Sequence, residues 1–460
     1  MGAEQPWGIY VHTPFCLEKC FYCDFPSFPV PLAPETREAL FERYTKALLR
    51  ELELAAQSLG QDLARLRPAV SVYFGGGTPS LLGAGRLAQI LARIQALFPL
   101  TEQAEITLEV NPATVDAAGL SQLRQVGFNR LSIGVQSLQD AQLALLGRLH
   151  SAQEAREVYA QARRAGFDNI SLDLIMAQPG QSLSAWQEDV QAVLALAPEH
   201  LSLYSLIIEE GTAFWPLYAQ EQQSGEAAEA QAARGEELCM GQSSSEDLLA
   251  KVPSKPSSGL CRSETCSQSS CRIQRPRKPC YRPLPSPETE RQMYYWAQEA
   301  LKQAGYGQYE ISNWAQEGRR AVHNSLYWQG GAYLGFGAAA ASYWQGWRSR
   351  HLAKPRAYMC AVEGLAKTWP QGLDEERDKL SLYEQMQEFF LLGFRCLDGC
   401  QEAKFLRRFE AAIPQDLEQA LAALQEEGLL FCRAAEDSLR QWTLSPKGLD
   451  FANQVFMAFV

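Results

Sequence analysis

Three cysteines near the start of the chain, Cys16, Cys20 and Cys23, have the spacing C-x3-C-x2-C and follow an apolar run at residues 8–12. Thiolates are the usual ligands of iron–sulfur clusters, and three of them leave one iron of a cubane cluster without a protein ligand. An open coordination position is where a metal site can carry out chemistry. The spacing therefore predicts a [4Fe–4S] cluster with one accessible iron.

A structural zinc site and three reduced, buried cysteines are the alternatives to this cluster. Structural zinc usually takes four ligands from paired knuckles, and no second cysteine pair lies near this triad in the sequence. Tyr22, between the second and third cysteines, is not typical of a zinc knuckle. We therefore favour the cluster.

Six β-rich runs alternate with amphipathic helical stretches over the first half of the chain. The runs lie near residues 8–11, 71–74, 106–110, 130–135, 169–176 and 201–208. Alternation of this kind is typical of repeated βα units with a parallel sheet. Six consecutive right-handed units predict an α/β fold with a partial (β/α)6, TIM-like barrel. An open doubly wound sheet is the alternative.

Polar or glycine-rich residues end or follow each β-rich run, at the strand ends where functional groups gather in parallel α/β folds. Glycines let a backbone approach a ligand closely, and a buried carboxylate needs a partner. Any one of these residues could instead belong to a turn, a cap or an ion pair, but six in register predict a site. After the cysteine loop they are Gly75–Thr78, Glu109, Gln136, Asp173 and residues 204–212.

The cysteine loop resembles that of the radical S-adenosylmethionine (SAM) proteins, and the strand-end residues resemble those of the oxygen-independent coproporphyrinogen III oxidase family. In the superfamily, SAM chelates the fourth iron and is split to methionine and a 5′-deoxyadenosyl radical. The resemblance thus implies SAM as a second cofactor and an electron donor for the cluster. It implies cofactor contacts by Tyr10, His12, Tyr22, Gly76, Gly77, Thr78, Glu109, Gln136, Arg148 and Asp173.

Two groups of this family differ in ways that the sequence can distinguish. The oxidases carry a fourth cysteine two residues after the third, where this chain has Phe25. Residues 323–328, His-Asn-Ser-Leu-Tyr-Trp, and 445–449, Ser-Pro-Lys-Gly-Leu, resemble the HemW-type haem chaperones. These chaperones often have a histidine where this chain has Ala341. The resemblance implies haem binding and transfer to acceptor proteins. The alternatives are coproporphyrinogen III oxidation and a radical SAM reaction on an unrelated substrate.

His323 is the residue that we predict as the haem ligand. Haem iron takes His, Met, Cys or Tyr as axial ligands, and the chain has only 5 histidines. His323 lies near Tyr327, Trp328 and Trp344 in the sequence, and their aromatic faces could flank a porphyrin. The alternative is a histidine that is packed or hydrogen-bonded within the protein.

Changes in composition along the chain predict four segments. Residues 1–221 form the barrel, and 287–372 form an aromatic and glycine-rich continuation that caps it. Residues 373–460 read as three helices and a hairpin, a winged-helix-like α+β domain. Residues 222–286 are rich in Ser, Pro and Arg, so we expect a disordered insertion that cannot offset its ordering entropy. Its five cysteines lack paired spacing, and we favour a plain insertion over an auxiliary metal site.

The composition limits the compartment and the partners. Hydrophobic residues make up 46% and charged residues 21% of the chain, and no apolar run is long enough to span a bilayer. The first strand begins within about ten residues of Met1, too early for a targeting peptide, so we expect a cytoplasmic protein without a membrane span. The net charge of −11 argues against nucleic-acid binding, including by the winged-helix-like domain.

Overall fold

The computed structural model describes residues 6–219, 278–364, 369–434 and 439–460. The insertion expected at 222–286 lies outside the described residues except for its last part, 278–286. The strands are β1 Trp7–Thr13, β2 Phe15–Cys16, β3 Phe28–Pro29, β4 Ala69–Gly76, β5 Leu100–Val110, β6 Arg130–Gln136, β7 Ile170–Met176, β8 His200–Ser205, β9 Gly307–Gln308, β10 Asn313–Ala315, β11 Ala332–Phe336, β12 Ala341–Trp344, β13 Trp347–His351, β14 Asp374–Lys379, β15 Cys400–Gln401, β16 Leu430–Ala434 and β17 Arg440–Leu444.

The α-helices lie between these strands and at the end of the chain. They are α1 Pro34–Arg65, α2 Ala84–Leu97, α3 Ala117–Gln125, α4 Asp140–Leu145, α5 Ala152–Arg164, α6 Leu183–Leu194, α7 Pro287–Gln303, α8 Val322–Trp328, α9 Pro355–Gly364, α10 Leu382–Gly393, α11 Glu402–Phe409, α12 Gln415–Glu426, α13 Pro446–Asp450 and α14 Ala452–Met457.

Six parallel strands form the centre of a large sheet in chain order, β1, β4, β5, β6, β7 and β8. A doubly wound sheet would instead reverse its strand order at a switch point. The sequential order confirms the predicted partial (β/α)6 arrangement and excludes the doubly wound alternative. All carboxyl ends of these strands therefore meet at one edge, which is where the polar residues of the sequence fall.

The sheet continues beyond the six strands on both sides. Next to β1 lies β11, which is parallel to it, followed by antiparallel β12, β13 and β14. Next to β8 lie antiparallel β10 and β9. The segment after the insertion thus extends the sheet at both edges, and its strands β11–β13 stand beside the strand that leads into the cysteine loop.

Burial explains why these segments fold as they do. Ile9 and Val11 of β1 are fully buried, as are Val72 and Phe74 of β4, which is typical of parallel strands covered on both faces. The buried residues of α2 recur at the i, i+3, i+4, i+7 spacing of one helix face: Leu87, Ile90, Leu91 and Ile94. The first helix, α1, is the longest of the described helices and has a kink at Gly60, whose φ of 47° and ψ of −123° are not helical.

The C-terminal region has a hydrophobic core of its own, built from α10–α14 and the small sheet β15–β17–β16. Strand β14, which follows the boundary expected at 372/373, pairs with β13 in the large sheet. The chain ends in two short helices, α13 and α14, beyond the three helices and the hairpin that the sequence predicted. The break falls at Phe451, whose φ of −111° and ψ of 36° are not helical. In the described parts of the chain, no helix is both long and apolar enough to cross a membrane.

Candidate functional site at the carboxyl edge of the sheet

The cysteine loop is fixed at this edge by backbone hydrogen bonds. The Cys23 N–H donates to the Cys20 carbonyl at 3.2 Å, which closes a turn between these two cysteines. The Phe21 N–H donates to the Leu146 carbonyl at 3.1 Å, and the Phe214 N–H donates to the Phe21 carbonyl at 2.9 Å. The loop is therefore held by the segments that follow β6 and β8.

The three thiols are free and half-buried. The Cys16 sulfur lies 3.6 Å from the Thr78 hydroxyl, and the Arg148 Nη1 donates to the Cys20 sulfur at 3.4 Å. Burial raises the pKa of Cys16, and it raises the pKa of Cys23 to about 11. The cationic Arg148 offsets the negative charge that thiolate ligands bring to a metal centre.

This donor set fits an iron–sulfur cluster. Among the described residues, no three His, Cys, Asp or Glu side chains converge on a point where a single metal ion could bind. A cubane cluster does not need such convergence, because each of the three irons that the protein would hold takes one thiolate. Thr78 and Arg148, both predicted from the sequence, stand directly against two of the three sulfurs.

Gly76 and Gly77 pack against the start of the cysteine loop. Gly76 has a φ of +110°, and a Cβ there would lie 2.6 Å from the His12 ring. A Cβ on Gly77 would lie 2.6 Å from the Phe15 carbonyl oxygen, and the Gly77 N–H donates to the Thr13 carbonyl at 2.8 Å. The glycines are thus required by protein packing. Their contact with the methionyl end of SAM stays a prediction.

Glu109 ends β5 and accepts hydrogen bonds from the Tyr73 hydroxyl at 2.7 Å and from the Gly76 N–H at 3.2 Å. Burial raises the pKa of Glu109 to about 7, and the nearby Asp173 adds to the rise. On β1, the Tyr10 hydroxyl is 2.9 Å from the His12 Nδ1. Burial lowers the pKa of His12 to about 4, so this imidazole is neutral at pH 7.

Gln136 is the last residue of β6, Arg148 follows that strand, and Asp173 lies within β7. Gln136 has a φ of +66° and stands where the pairing of β6 with β7 shifts register. The Arg148 Nη2 donates to the Gly134 carbonyl at 2.8 Å, so this guanidinium links the end of β6 to the cysteine loop. Asp173 accepts hydrogen bonds from the Ser132 and Ser171 hydroxyls at 2.9 and 3.0 Å. Burial raises the pKa of Asp173.

A cavity of about 570 Å³ opens beside these residues. Of the residues that the sequence assigns to cofactor contacts, Tyr10, His12, Gly76 and Glu109 line it. Its lining is mainly aromatic, with six tyrosines, Phe25 and Trp328. The further lining residues are Pro26, Tyr73, Tyr204, Asn324, Tyr327, Gly330, Gly331, Tyr333, Ala339, Ala341, Tyr343, Arg348, Glu388 and Leu392.

Most of these further residues were missed by sequence reasoning. Tyr73 carries a usable signal, because it precedes Gly75 by two residues on the same strand and so faces the same side. Arg348 on β13 carries a weak signal, because Arg348 and Arg350 form a small basic cluster next to His351 that could attract propionates. Glu388 on α10 carries no local signal. Both reach the cavity because β13 and the C-terminal region fold back beside β1.

His323 lies behind the cavity wall and is fully buried. Its Nδ1 is 2.8 Å from the Ser71 hydroxyl, and its Nε2 is 2.7 Å from the Tyr327 hydroxyl. The ring stacks on Tyr73 at 5.1 Å between centroids. Burial lowers the pKa of His323 to about 3. Both ring nitrogens therefore have partners in this conformation, and an axial bond from His323 to haem iron would require one partner to move.

The alternation of side chains along β12 decides which of its aromatic residues reach the cavity. Ala341 and Tyr343 line it, whereas Trp344 points to the other face and meets Trp7 edge-on, with 5.4 Å between ring centroids. Side chains alternate between the two faces along a strand. Of the aromatic residues expected around His323, Tyr327 and Trp328 line the cavity and Trp344 does not.

Fold and cysteine loop together define a radical SAM protein, and comparison with known proteins agrees. Residues 10–193 match the radical SAM superfamily, and residues 380–451 match the HemN C-terminal domain. Coproporphyrinogen III oxidase (HemN) from Escherichia coli, a radical SAM enzyme, superimposes with a TM-score of 0.70. The match covers 100% of this chain and 91% of that one, and at 20% sequence identity it supports the fold.

Two curated relatives align over most of their length. Heme chaperone HemW of Synechocystis is 31% identical over 86% of this chain and 79% of the relative. Heme chaperone HemW of Bacillus subtilis is 28% identical over 98% of this chain and 99% of the relative. The chain therefore belongs to the HemW family of radical SAM proteins.

Proposed function

We propose that this protein is a haem chaperone. It binds haem together with a SAM-liganded [4Fe–4S] cluster, and it transfers haem to acceptor proteins. The observation that carries this proposal is the similarity, over most of both chains, to relatives named heme chaperone HemW. The aromatic cavity beside the cysteine loop supports it, because a flat apolar macrocycle stacks favourably on such walls.

Cys16, Cys20 and Cys23 are the residues that would hold the cluster. SAM, when bound to it, supplies the methionyl ligands of the fourth iron. Around it we assign contacts to the residues at the strand ends: Tyr10, His12, Tyr22, Gly76, Gly77, Thr78, Glu109, Gln136, Arg148 and Asp173. Within this set, Arg148 and Thr78 steady two sulfurs, while the neutral His12 and the Glu109 carboxyl face the cavity.

Phe25 supports chaperoning over coproporphyrinogen oxidation. It occupies the position of the fourth cysteine that marks the oxidases in sequence. Its ring is 61% exposed and lines the cavity. A phenyl ring offers neither a metal ligand nor an acid–base group, but it extends the apolar wall. We therefore assign no catalytic residue, and we expect transfer to haem-accepting proteins in the cytoplasm, with a separate electron donor for the cluster.

Parallel assays of one anaerobically reconstituted sample test the proposed function. We expect a saturable haem complex seen by absorbance, loss of that haem to an apo-haemoprotein, and no conversion of coproporphyrinogen III. Haem that binds but never leaves for an acceptor would contradict chaperoning. Formation of protoporphyrinogen IX would establish the oxidase alternative instead.

The role of His323 needs a separate variant. His323→Ala should fold and keep its cluster but lose haem affinity or transfer, if the predicted axial bond forms. The readout is the ferric and ferrous haem spectrum, which reports the axial ligand. Tyr327→Phe is the matched control, since it removes the hydroxyl beside Nε2 and retains both rings. An unchanged haem spectrum in His323→Ala would assign the imidazole to packing alone.

A further inference from the structure

Charged side chains reach the cavity from two opposite sides. Of the described residues that line it, those with formal charges are Glu109 on β5, and Arg348 and Glu388 on β13 and α10. In the sheet, β13 and β5 stand five strands apart. Neighbouring strands are about 4.8 Å apart, so Arg348 lies well away from Glu109 and the cysteine loop.

Arg348 and Glu388 form an ion pair that joins the large sheet to the C-terminal region. The Arg348 side chain is 52% exposed, and that of Glu388 is 19% exposed. Ion pairs with such access to water contribute little, typically 0–1 kcal/mol. Arg348 can therefore exchange its carboxylate partner at small cost.

A second guanidinium, that of Arg408, lies near this ion pair. The Arg408 Nη1 donates to the Gln329 carbonyl at 3.0 Å, next to the cavity-lining Gly330. Arg408 is also close enough to Tyr343 and Glu388 to act on both electrostatically. This side of the cavity thus has two guanidiniums, Arg348 and Arg408, near two carboxylates, Glu388 and Glu384. A ligand carboxylate therefore gains a guanidinium here only by displacing one of these carboxylates.

We propose that Arg348 is the subsite for a carboxylate of the cavity's ligand, and that the ligand carboxylate displaces Glu388. This inference rests on the proposed function, and for haem the carboxylates are those of its propionates. Arginine suits this role because its planar fork matches a carboxylate with two parallel hydrogen bonds. The macrocycle then stacks on the tyrosines between Arg348 and the cysteine loop.

The displacement of Glu388 makes ligand binding compete with a contact between two parts of the protein. Glu388 lies on α10, so a ligand that takes Arg348 removes one link between the C-terminal region and β13. Removing the carboxylate of Glu388 should therefore raise affinity for a carboxylate-bearing ligand. Removing the guanidinium of Arg348 should lower it.

Titrations of the full-length protein with haem and with haem dimethyl ester test the subsite. Arg348→Gln should raise the Kd for haem about five- to tenfold, in keeping with the loss of a charged hydrogen bond near water. Glu388→Gln should lower that Kd roughly two- to fivefold by removing a competitor. The ester, which has no free carboxylates, should bind all forms alike.

Arg350→Gln is the matched control. Arg350 is on the same strand and pairs with Glu376, and it does not line the cavity. It should leave both affinities unchanged. Arg348→Lys, which keeps the charge without the planar fork, should fall between wild type and Arg348→Gln.

The outcomes separate this inference from the proposed function. If Arg348→Gln binds haem as tightly as the wild type does, the subsite is overturned. The same holds if its affinities for haem and for the ester change equally. In both cases the chaperone proposal still stands. Failure of the wild type to bind haem at all would overturn both.

Discussion

The two sides of the cavity differ in how their polar groups are bonded and how far they are exposed to water. The inner wall, Tyr10, His12, Tyr73, Gly76 and Glu109, lies on parallel strands beside the cysteine loop. Its polar groups are bonded to one another, as Glu109 is to Tyr73 and Gly76. The outer wall, Tyr333, Tyr343, Arg348, Glu388 and Leu392, joins β11–β13 to α10. Its charged pair is open to water.

The two walls should therefore differ in how easily their side chains exchange partners. Buried, mutually bonded polar groups are costly to disturb, because each broken bond leaves an unsatisfied group in a low dielectric. A half-exposed ion pair can change partners cheaply. We infer that the inner wall presents a fixed surface to the cofactors, while the outer wall adjusts to what enters and leaves.

Loss of a cluster ligand is the change with the largest expected effect on the inner wall. Cys20→Ala should abolish iron–sulfur absorption after anaerobic reconstitution, because each iron that the protein holds depends on one thiolate. Cys360→Ala, at an exposed cysteine outside the loop, is the control and should retain it. Full cluster content in Cys20→Ala, or in the corresponding variants of Cys16 and Cys23, would rule out the assigned ligands.

The buried carboxyl of Glu109 should make stability depend on pH. The pKa of Glu109 is raised to about 7 in the folded protein, against 4.5 for an ordinary glutamate. As pH rises, the unfolded chain therefore loses this proton before the folded protein does. Glu109 therefore destabilises the fold progressively between pH 4.5 and 7, by about 3 kcal/mol in full.

Glu109→Gln should remove that part of the pH dependence in the SAM-free protein. Urea denaturation at pH 5 and pH 8 measures it: the variant should gain stability relative to wild type at the higher pH. A constant difference between the two proteins across this range would show that Glu109 is ionised in the fold.

Gly77→Ala tests how closely the inner wall packs on the cysteine loop. The new Cβ would lie 2.6 Å from the Phe15 carbonyl oxygen, and overpacking of this kind costs about 1–3 kcal/mol. We expect lower unfolding free energy and lower cluster content. Gly85→Ala, where a Cβ meets nothing within 4 Å in α2, should instead stabilise by up to about 1 kcal/mol. Equal behaviour of the two variants would contradict the packing argument.

Two deletions in the expected insertion should leave both walls intact, because neither removes a residue that lines the cavity. Removing residues 240–277 should change the free energy of unfolding only slightly, by about 0.6 kcal/mol for each halving of the chain length between residues 219 and 278. Removing 240–283 also deletes the Pro283 carbonyl that accepts from Gly180 at 2.8 Å and the Tyr281 ring stacked on Tyr218. This longer deletion should cost about 2 kcal/mol more. A second metal signal lost with either deletion would revive an auxiliary site.

The sequence by itself determined the barrel and the inner wall. Strand–helix alternation predicts a parallel sheet, and in such a sheet the residues after successive strands must meet at one edge. Local pattern therefore sufficed to bring Cys16, Thr78 and Glu109 to one edge: the Cys16 sulfur lies beside the Thr78 hydroxyl, and Glu109 accepts from the nearby Gly76 N–H.

Only the tertiary structure decided the outer wall and the environment of His323. Arg348 and Glu388 are 40 residues apart, on a strand and a helix of different units, and neither strand period nor helix period relates them. The family segment 323–328 drew attention to His323, but the fold sets it between Ser71 and Tyr327 with both nitrogens bonded. Contacts between distant segments depend on how the whole sheet curves and closes, and no local pattern in the chain encodes that.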